Sequence, residues 1–433
     1  MRSRLASCAA VVGATVMAVA LSATGGAQAA PESARQSAAA LPADLVVALQ
    51  RDLHMTPQEY VDRAVAAQRV ADYASELRRS DSAGVGGAWL APDGTPTVAV
   101  TTQAAANRVT AAGYRAQMVP LSTSGLEMRP TVPNRRSTPP PSFRVATGTT
   151  PSTIGGDAYL TSAQPIVSAS SYLVCSFGFA AADTAGNPLA LSAGHCDPNR
   201  PAAGTSNAAG VYEPKIGDLR NSRLVGGFAE SGIGDEGGNL DYSVIGLAPG
   251  VVSATGLGQP TVRGGNGSAL TITGIAVPVA GAPACKSGQT SGYTCGTIDF
   301  ADYDTVLGGD GGESWNVRGF STTACTLGGD SGGAIITGTL ALGITSGSSV
   351  SHYRDCATAE AENPEGVMSL GIPIHAVLAR VNQSSDGCVT LRTAENPAGD
   401  PNSPNCEIET IPAPTPTPTP APSSGSGSLS FGS

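Results

Sequence analysis

Cysteine placement divides this 433-residue chain into two unlike parts. Eight of its nine cysteines lie after residue 170, and the stretch 41–128 contains none. An even set of cysteines confined to one part predicts a disulfide-braced unit that folds in an oxidising compartment. Four disulfides are expected, although the sequence alone does not determine their pairing. The ninth cysteine, Cys8, lies in a segment with the features of an export signal.

That segment covers residues 1–30. Arg2 and Arg4 make a basic start, residues 9–21 are small and apolar, and 27–29 reads A-Q-A, which fits a cleavage site. The apolar run is too short and too rich in alanine to span a bilayer well. We therefore predict a signal peptide, secretion to the extracellular space and no membrane span.

Composition points to a β protein. Charged residues make up 13% of the chain and aromatic residues 4%, whereas glycine occurs 55 times, which is typical of short strands joined by many turns. Residues 154–433 carry 10 Lys and Arg against 24 Asp and Glu, a balance of −14. An acidic domain of this kind argues against nucleic-acid binding.

The cysteine-free part has a mixed helix and strand pattern. T-P-Q-E at 56–59 supplies an N-cap, a first-turn proline and a capping-box glutamate, so a helix is predicted towards Leu77. A-P-D-G-T-P at 91–96 predicts a hairpin, and a further helix runs from Gln103 to Gly113 before a strand at 115–119. The pattern predicts a small α/β module.

A candidate nucleophile stands in G-G-D-S-G-G at 328–333, where glycines frame Ser331. A serine hydroxyl needs a base and an orienting acid before it can attack a carbonyl. His195 lies in L-S-A-G-H-C, and Asp241 opens the apolar run D-Y-S-V-I. Asp235 is a weaker candidate for the acid because no apolar run follows it. The order His, Asp, Ser is that of one known type of catalytic triad.

Five motifs in this order resemble the bacterial chymotrypsin-superfamily serine proteases of the streptogrisin and alpha-lytic protease type. They are C-S-F-G-F at 175–179, A-G-H-C at 193–196, C-K-S-G-x-T-S-G-Y-x-C-G-T-I at 285–298, C-T-L-G-G-D-S-G-G at 325–333 and G-I-T-S-G at 343–347. The resemblance implies an all-β fold of two six-stranded antiparallel β-barrels with a C-terminal helix, preceded by a small α/β pro-domain. In that family the pro-region assists folding and then occupies the substrate groove as an inhibitor.

The resemblance and the composition together predict six segments. They are a signal peptide at 1–30, a pro-region at 31–128, an exposed Pro/Arg-rich processing linker at 129–153, a trypsin-like protease domain at 154–385, a cysteine-stapled extension at 386–410 and a low-complexity Pro/Thr and Ser/Gly tail at 411–433.

The resemblance also implies site roles. It makes His195, Asp241 and Ser331 catalytic, assigns the oxyanion hole to the N–H groups of Gly329 and Ser331, and pairs Asp330 with Arg318. The substrate-binding positions would be Gly328, Thr345, Ser346, Gly347 and Ser348. The implied disulfides are Cys175–Cys196, Cys285–Cys295 and Cys325–Cys356, which leaves Cys388–Cys406. No metal or cofactor is expected, because no C-x-x-C, histidine cluster or dinucleotide fingerprint accompanies these residues.

The predicted function is a secreted, monomeric serine endopeptidase that is made as a proenzyme and processes itself. Its partners would be polypeptide substrates and its own pro-region, and medium to large apolar side chains would fit the primary pocket. Two alternatives stay open. G-D-S-G-G also fits the nucleophile elbow of an α/β-hydrolase esterase, which could use Asp355 and His375. A catalytically inert binding protein on a protease scaffold would keep the same residues.

Overall fold

The computed structural model describes residues 37–82, 84–119, 153–263, 268–309, 312–364, 366–384, 388–400 and 428–430. The predicted signal peptide, the linker up to residue 152, Cys406 and most of the tail lie outside the described residues. Among the described residues, no helix has both the length and the apolar character that a bilayer crossing needs.

The leader, as we call residues 31–128, is described over 37–82 and 84–119 and contains three α-helices, two of which pack on a three-stranded sheet, while the first lies against the second barrel. Its elements are α1 Ala43–Ala48, α2 Pro57–Ser80, β1 Val85–Leu90, β2 Pro96–Val100, α3 Gln103–Ala111 and β3 Arg115–Met118. Strand β2 is central, antiparallel to β1 and parallel to β3. Helix α2 begins as predicted, because the Thr56 hydroxyl accepts from the Glu59 N–H and the Glu59 carboxylate accepts from the Thr56 N–H.

The first barrel is built from seven short strands. They are β4 Ala158–Ser162, β5 Leu173–Ser176, β6 Ala180–Ala182, β7 Pro188–Ser192, β8 Gly210–Glu213, β9 Arg223–Gly234 and β10 Leu240–Leu247. Strands β5 and β6 are two halves of one interrupted strand. The first half pairs with β4 and the second with β7, and the path β7–β10–β9–β8–β4 completes the ring. The result is a six-stranded antiparallel barrel.

A second barrel follows a short connection. The elements are α4 Pro249–Val252, β11 Thr261–Arg263, β12 Ala269–Thr271, β13 Gly274–Ile275, β14 Pro283–Gly288, β15 Gly292–Gly308, β16 Ser314–Thr322, β17 Ala334–Thr337, β18 Leu340–Ser348, α5 Cys356–Glu362, β19 Ser369–Pro373 and α6 Ile374–Ser384. Strands β14 to β19 form a ring that the β18–β19 pairing closes. The predicted fold of two six-stranded barrels with a C-terminal helix is confirmed.

Two further strands lie beyond α6. Strand β20, Thr390–Leu391, pairs with β6 and so attaches the predicted extension to the first barrel. Strand β21, Ser428–Ser430, lies between β15 and β18 of the second barrel. Parts of the chain that the sequence marked as accessory are therefore tied to both barrels.

An aromatic cluster fills the first barrel. Tyr159 lies 4.8 Å from Phe177 and 6.5 Å from Phe228, measured between ring centroids, and all three side chains are buried. The Tyr159 hydroxyl is satisfied by the Ser192 hydroxyl at 2.8 Å. Because close-packed interiors lose both transfer free energy and contacts when a ring is removed, this cluster is a main source of the barrel's stability.

We expect Phe228→Ala to lower the free energy of unfolding by about 3–5 kcal/mol, because it leaves a cavity in this cluster. Leu224→Ala in the same strand is the matched control. The Leu224 side chain is 56% exposed, so the change should stay within about 0.5 kcal/mol. Equilibrium unfolding in urea measures both variants, and equal losses would contradict the packing argument.

Candidate active site

His195 and Asp241 are in direct contact. His195 lies on a single 3₁₀ turn, Gly194–Cys196, directly after β7, and Asp241 is the second residue of β10. The His195 Nδ1 is 2.7 Å from Asp241 Oδ2, and the His195 backbone N–H donates to Asp241 Oδ1 at 2.9 Å. One carboxylate therefore fixes both the backbone and the ring of the histidine.

Asp241 is fully buried and has a third donor. The Ser346 hydroxyl, from β18 of the second barrel, donates to Asp241 Oδ2 at 2.5 Å. Burial by itself raises the pKa of Asp241, but the charge of His195 and the hydrogen bonds from His195 and Ser346 outweigh it, so the pKa lies below its ordinary value. The carboxylate is held ionised at the junction of the two barrels.

The Ser331 turn, residues 328–333, runs beside the histidine. Gly329 has φ 92° and Gly332 has φ 82°, a conformation that side chains with a Cβ rarely adopt. The Ser331 carbonyl accepts from the Ser176 N–H at 2.7 Å and lies 3.9 Å from the sulfur of Cys196, the neighbour of His195. The structure therefore brings the three predicted triad residues into one region.

Hydrogen bonds to two carbonyls orient the N–H groups of this turn. The Gly328 carbonyl accepts from the Thr290 hydroxyl at 2.7 Å, and the Asp330 carbonyl accepts from the Gly333 N–H at 2.9 Å. In a planar trans peptide the next N–H points opposite to the carbonyl. The N–H groups of Gly329 and Ser331, the predicted oxyanion donors, therefore point away from the Thr290 hydroxyl and the Gly333 N–H, respectively.

Asp330 pairs with Lys286 rather than with Arg318, so the predicted ion pair is wrong. The Lys286 Nζ is 2.6 Å from Asp330 Oδ2, and both side chains are buried. Burial by itself raises the pKa of Asp330, but the Lys286 charge and hydrogen bonds from Lys286, Ser291 and the Leu327 N–H lower it below the ordinary value.

Arg318 does not reach Asp330, because its strand places it beside a different carboxylate. It lies on β16, and its Nε donates to Asp302 Oδ1 at 2.6 Å on an exposed face of the β15–β16 hairpin. The Asp302 charge and hydrogen bond raise the pKa of Arg318. The sequence does carry one signal for Lys286, since a lysine within a buried strand next to a predicted disulfide requires an acidic partner, but that signal does not identify the partner.

The predicted substrate-binding residues are placed on one strand and one turn. Thr345, Ser346, Gly347 and Ser348 end β18, and Gly328 begins the Ser331 turn, where its N–H donates to the Ser351 carbonyl at 2.8 Å. Ser346 has a role that the sequence analysis missed, because its hydroxyl binds Asp241. All four β18 positions are buried.

The alternative acid and base residues lie in other settings. Asp235 is exposed on a 3₁₀ turn. Asp355 caps α5, where it accepts from the Thr358 N–H at 2.8 Å. His375 is on α6, and burial lowers its pKa. The esterase hypothesis also required strands that alternate with long helices, whereas the described residues between 158 and 373 form two antiparallel barrels.

Three of the four implied disulfides are present: Cys175–Cys196, Cys285–Cys295 and Cys325–Cys356. Cys388 is also disulfide-bonded, but Cys406 lies outside the described residues. Among the described residues, the sulfurs of Cys175 and Cys196 and a His195 nitrogen lie within 4.8 Å of one another. Because the two sulfurs are bonded to each other, this group offers no thiolate to a metal.

These barrels and the site at their junction define a protein of the chymotrypsin fold. Residues 58–119 match the family model described as "Alpha-lytic protease pro N-terminal". Streptogrisin-C from Streptomyces griseus is 29% identical over 351 residues, which is 72% of this chain and 70% of that protein. Serine protease 2 from Streptomyces fradiae is 30% identical over 176 residues, which is 40% of this chain and 87% of that protein.

Thermobifida fusca Protease A is a similar solved structure, with 27% identity and a TM-score of 0.39, covering 56% of this chain and 99% of that chain. The sequence relatives and the leader match show that the chain belongs to the bacterial chymotrypsin-fold serine proteases of the streptogrisin and alpha-lytic protease type. Residues 58–119 of the leader match the pro-region of that family.

We expect Asp330→Asn to lower the free energy of unfolding by about 3–5 kcal/mol, because the Lys286 charge is then buried without its partner. The double variant Asp330→Asn/Lys286→Met should recover much of that loss. Arg318→Met is the control. Its ion pair is exposed and should cost less than about 1 kcal/mol. Urea unfolding measures all three variants. A larger loss of unfolding free energy for Arg318→Met than for Asp330→Asn would contradict the Lys286–Asp330 pair and support the Arg318–Asp330 pair instead.

Proposed function

We propose that this protein is a secreted serine endopeptidase, made as a proenzyme and processed by its own activity. The observation that carries the proposal is the buried His195–Asp241 pair, to which Ser346 donates at Asp241 and which lies near the glycine-framed Ser331. Export rests on the predicted signal peptide and the disulfides. The inert-scaffold alternative keeps the same residues and is separated by experiment.

In the proposed reaction, the Ser331 hydroxyl attacks the carbonyl carbon of a peptide bond. His195 Nε2 accepts the hydroxyl proton and later donates it to the leaving amine. Asp241 accepts from His195 Nδ1–H, which sets the tautomer and stabilises the imidazolium. Water then hydrolyses the acyl-enzyme by the same proton transfers in reverse, and the free carboxylic acid departs.

The negative charge that develops on the carbonyl oxygen would be stabilised by the N–H groups of Gly329 and Ser331. Loss of one such donor typically costs about 10²–10³ in rate. Their orientation rests on the bonds that hold the Gly328 and Asp330 carbonyls, and on the buried Lys286–Asp330 pair beneath them. Preorganised donors cost no reorganisation during the reaction.

Substrate would add as a strand to the end of β18. We propose that residues 346–348 would pair with the substrate by β-augmentation and that residues 328, 345 and 348 would line the primary pocket. We propose medium to large apolar side chains as its ligands, since the pocket positions carry small, uncharged residues. Selectivity among substrates would therefore depend mainly on the one substrate side chain that enters this pocket.

The leader would assist folding and inhibit the enzyme. Gln68 on α2 makes two bonds to the Val277 backbone, donating to its carbonyl at 3.0 Å and accepting from its N–H at 2.9 Å. The Leu90 N–H at the end of β1 donates to the Ala280 carbonyl at 2.9 Å. Leu45 and Leu49 are buried in the same apolar core as residues of both barrels.

A second set of leader contacts reaches the hairpin that supports Asp330. The Asp52 carboxylate accepts from the Cys295 N–H at 2.8 Å, and Arg51 donates to the Tyr293 carbonyl at 3.0 Å. The turn just before them, at Thr290 and Ser291, supplies hydrogen bonds to Asp330. Holding this hairpin would favour the folded form of the Ser331 turn.

We expect Ser331→Ala to reduce kcat/KM on peptides by about 10⁴-fold or more and to abolish labelling by a serine-directed phosphonate. Ser253→Ala, an exposed serine on α4's C-terminal side, is the control and should leave both unchanged. N-terminal sequencing of the secreted products tests processing. Identical cleavage in wild type and Ser331→Ala would reject self-processing, and an unreactive wild type would favour the inert scaffold.

Asp52→Ala should lower the yield of folded, secreted enzyme about fivefold, because the Cys295 N–H loses its acceptor. The mature enzyme lacks Asp52, so its kcat/KM per titrated active site should not change. Asp62→Ala is the control, since Asp62 is exposed on α2 and, among the described residues, its carboxylate accepts a hydrogen bond from Gln58 of the same helix and none from the barrels. Equal yields from the two variants would contradict a folding role for this contact.

A further inference from the structure

The C-terminal strand β21 joins the ends of two strands that are not neighbours in the barrel. It runs parallel to the end of β15, with Val306 opposite Ser428, Leu307 opposite Leu429 and Gly308 opposite Ser430. It runs antiparallel to β18, with Ser348 opposite Ser430. Between β15 and β18 the barrel path passes through β14 and β17. Strand β21 thus pairs with the ends of two strands that the barrel path does not place side by side.

The edge of β18 that β21 takes can be identified from the other partners of that strand. Ser348 pairs with Ser369 of β19 on one edge, so Ser430 occupies the opposite edge. Thr345 uses that opposite edge as well, since its N–H donates to the Gly333 carbonyl at 2.9 Å and its carbonyl accepts from the Gly332 N–H at 2.8 Å. The Ser331 turn and the tail therefore share one edge.

Distance and direction on this edge match what a peptide substrate requires. Ser348 is three residues beyond Thr345, or about 10 Å at 3.3 Å per residue. Because β21 is antiparallel to β18, the tail runs towards the Ser331 turn as its numbering rises. A substrate that adds to residues 346–348 and presents a carbonyl to Ser331 needs the same edge, so the tail and the substrate exclude each other there.

We propose that the segment Ser428–Ser430 is a built-in competitor of substrate, which occupies the outer part of the substrate-binding edge and has to leave before an extended peptide binds. The inference rests on the proposed function. Three paired residues make a weak contact on their own, but attachment raises the effective concentration of the segment to about the millimolar range. The Pro/Thr and Ser/Gly composition of 411–427 predicts a linker long enough for the segment to come and go.

The competitor acts through backbone pairing, which suggests a single-residue test. Ser430→Pro removes an N–H and disrupts the strand, whereas Ser430→Ala keeps the backbone unchanged. In the processed protein, we expect Ser430→Pro to lower KM for a peptide with four residues on the acyl side about three- to tenfold with kcat unchanged. A chain that ends at Gly427 should match it, and Ser430→Ala should match the wild type.

A phosphonate titration of each variant distinguishes a failure of the proposed competitor from a failure of the proposed protease function. Full titration with equal KM values in all variants would overturn the competitor and leave the protease intact. Titration that fails in every variant would overturn the proposed function and the competitor with it. A synthetic peptide of residues 424–433, added to the chain that ends at Gly427, should inhibit competitively and raise KM again, and a lack of inhibition counts against the competitor.

Discussion

The carboxylate of Asp330 organises the Ser331 turn. It is wholly buried, and its two oxygens accept from the Thr290 N–H, the Ser291 N–H and hydroxyl, the Leu327 N–H and the Lys286 ammonium. A buried charge with fewer partners would cost several kcal/mol, so these groups have to assemble together. The β14–β15 turn and the Ser331 turn are therefore one cooperative unit, and the N–H groups of the turn inherit their orientation from it.

Asp241 couples the two barrels in a similar way. Its carboxylate is carried by the first barrel and accepts from Ser346 of the second, while the other contacts go to the backbone and ring of His195. A shift between the barrels would break the Ser346 bond and leave part of a buried charge without a donor. The ring orientation of His195 thus depends on the relative position of the two barrels. The candidate site therefore lies at their junction.

The sequence predicted the fold, which is confirmed, and the three principal residues of the candidate site, because each of these residues is marked locally. Glycines frame Ser331, a cysteine follows His195, and an apolar run follows Asp241. The partner of Asp330 could not be assigned in this way, because it depends on which strand lies next to the Ser331 turn. Several basic residues were available, and only the pairing of β14 with β17 brings Lys286 under the turn. The position of β21 was equally hidden, since serine and glycine carry no pairing signal.

Strand β15 links the leader and the tail to the site at different points. At its start, Tyr293 and Cys295 bond to the leader, next to the turn that holds Asp330. At its end, residues 306–308 pair with β21, near the outer edge of the proposed substrate path. In the proposed mechanism, a substitution within β15 at its start would act on the geometry of the Ser331 turn, and so on folding and on kcat. A substitution at its end would act on the pairing with β21 and so on access along β18, which is an effect on KM. One strand can therefore carry two controls that do not interfere with each other.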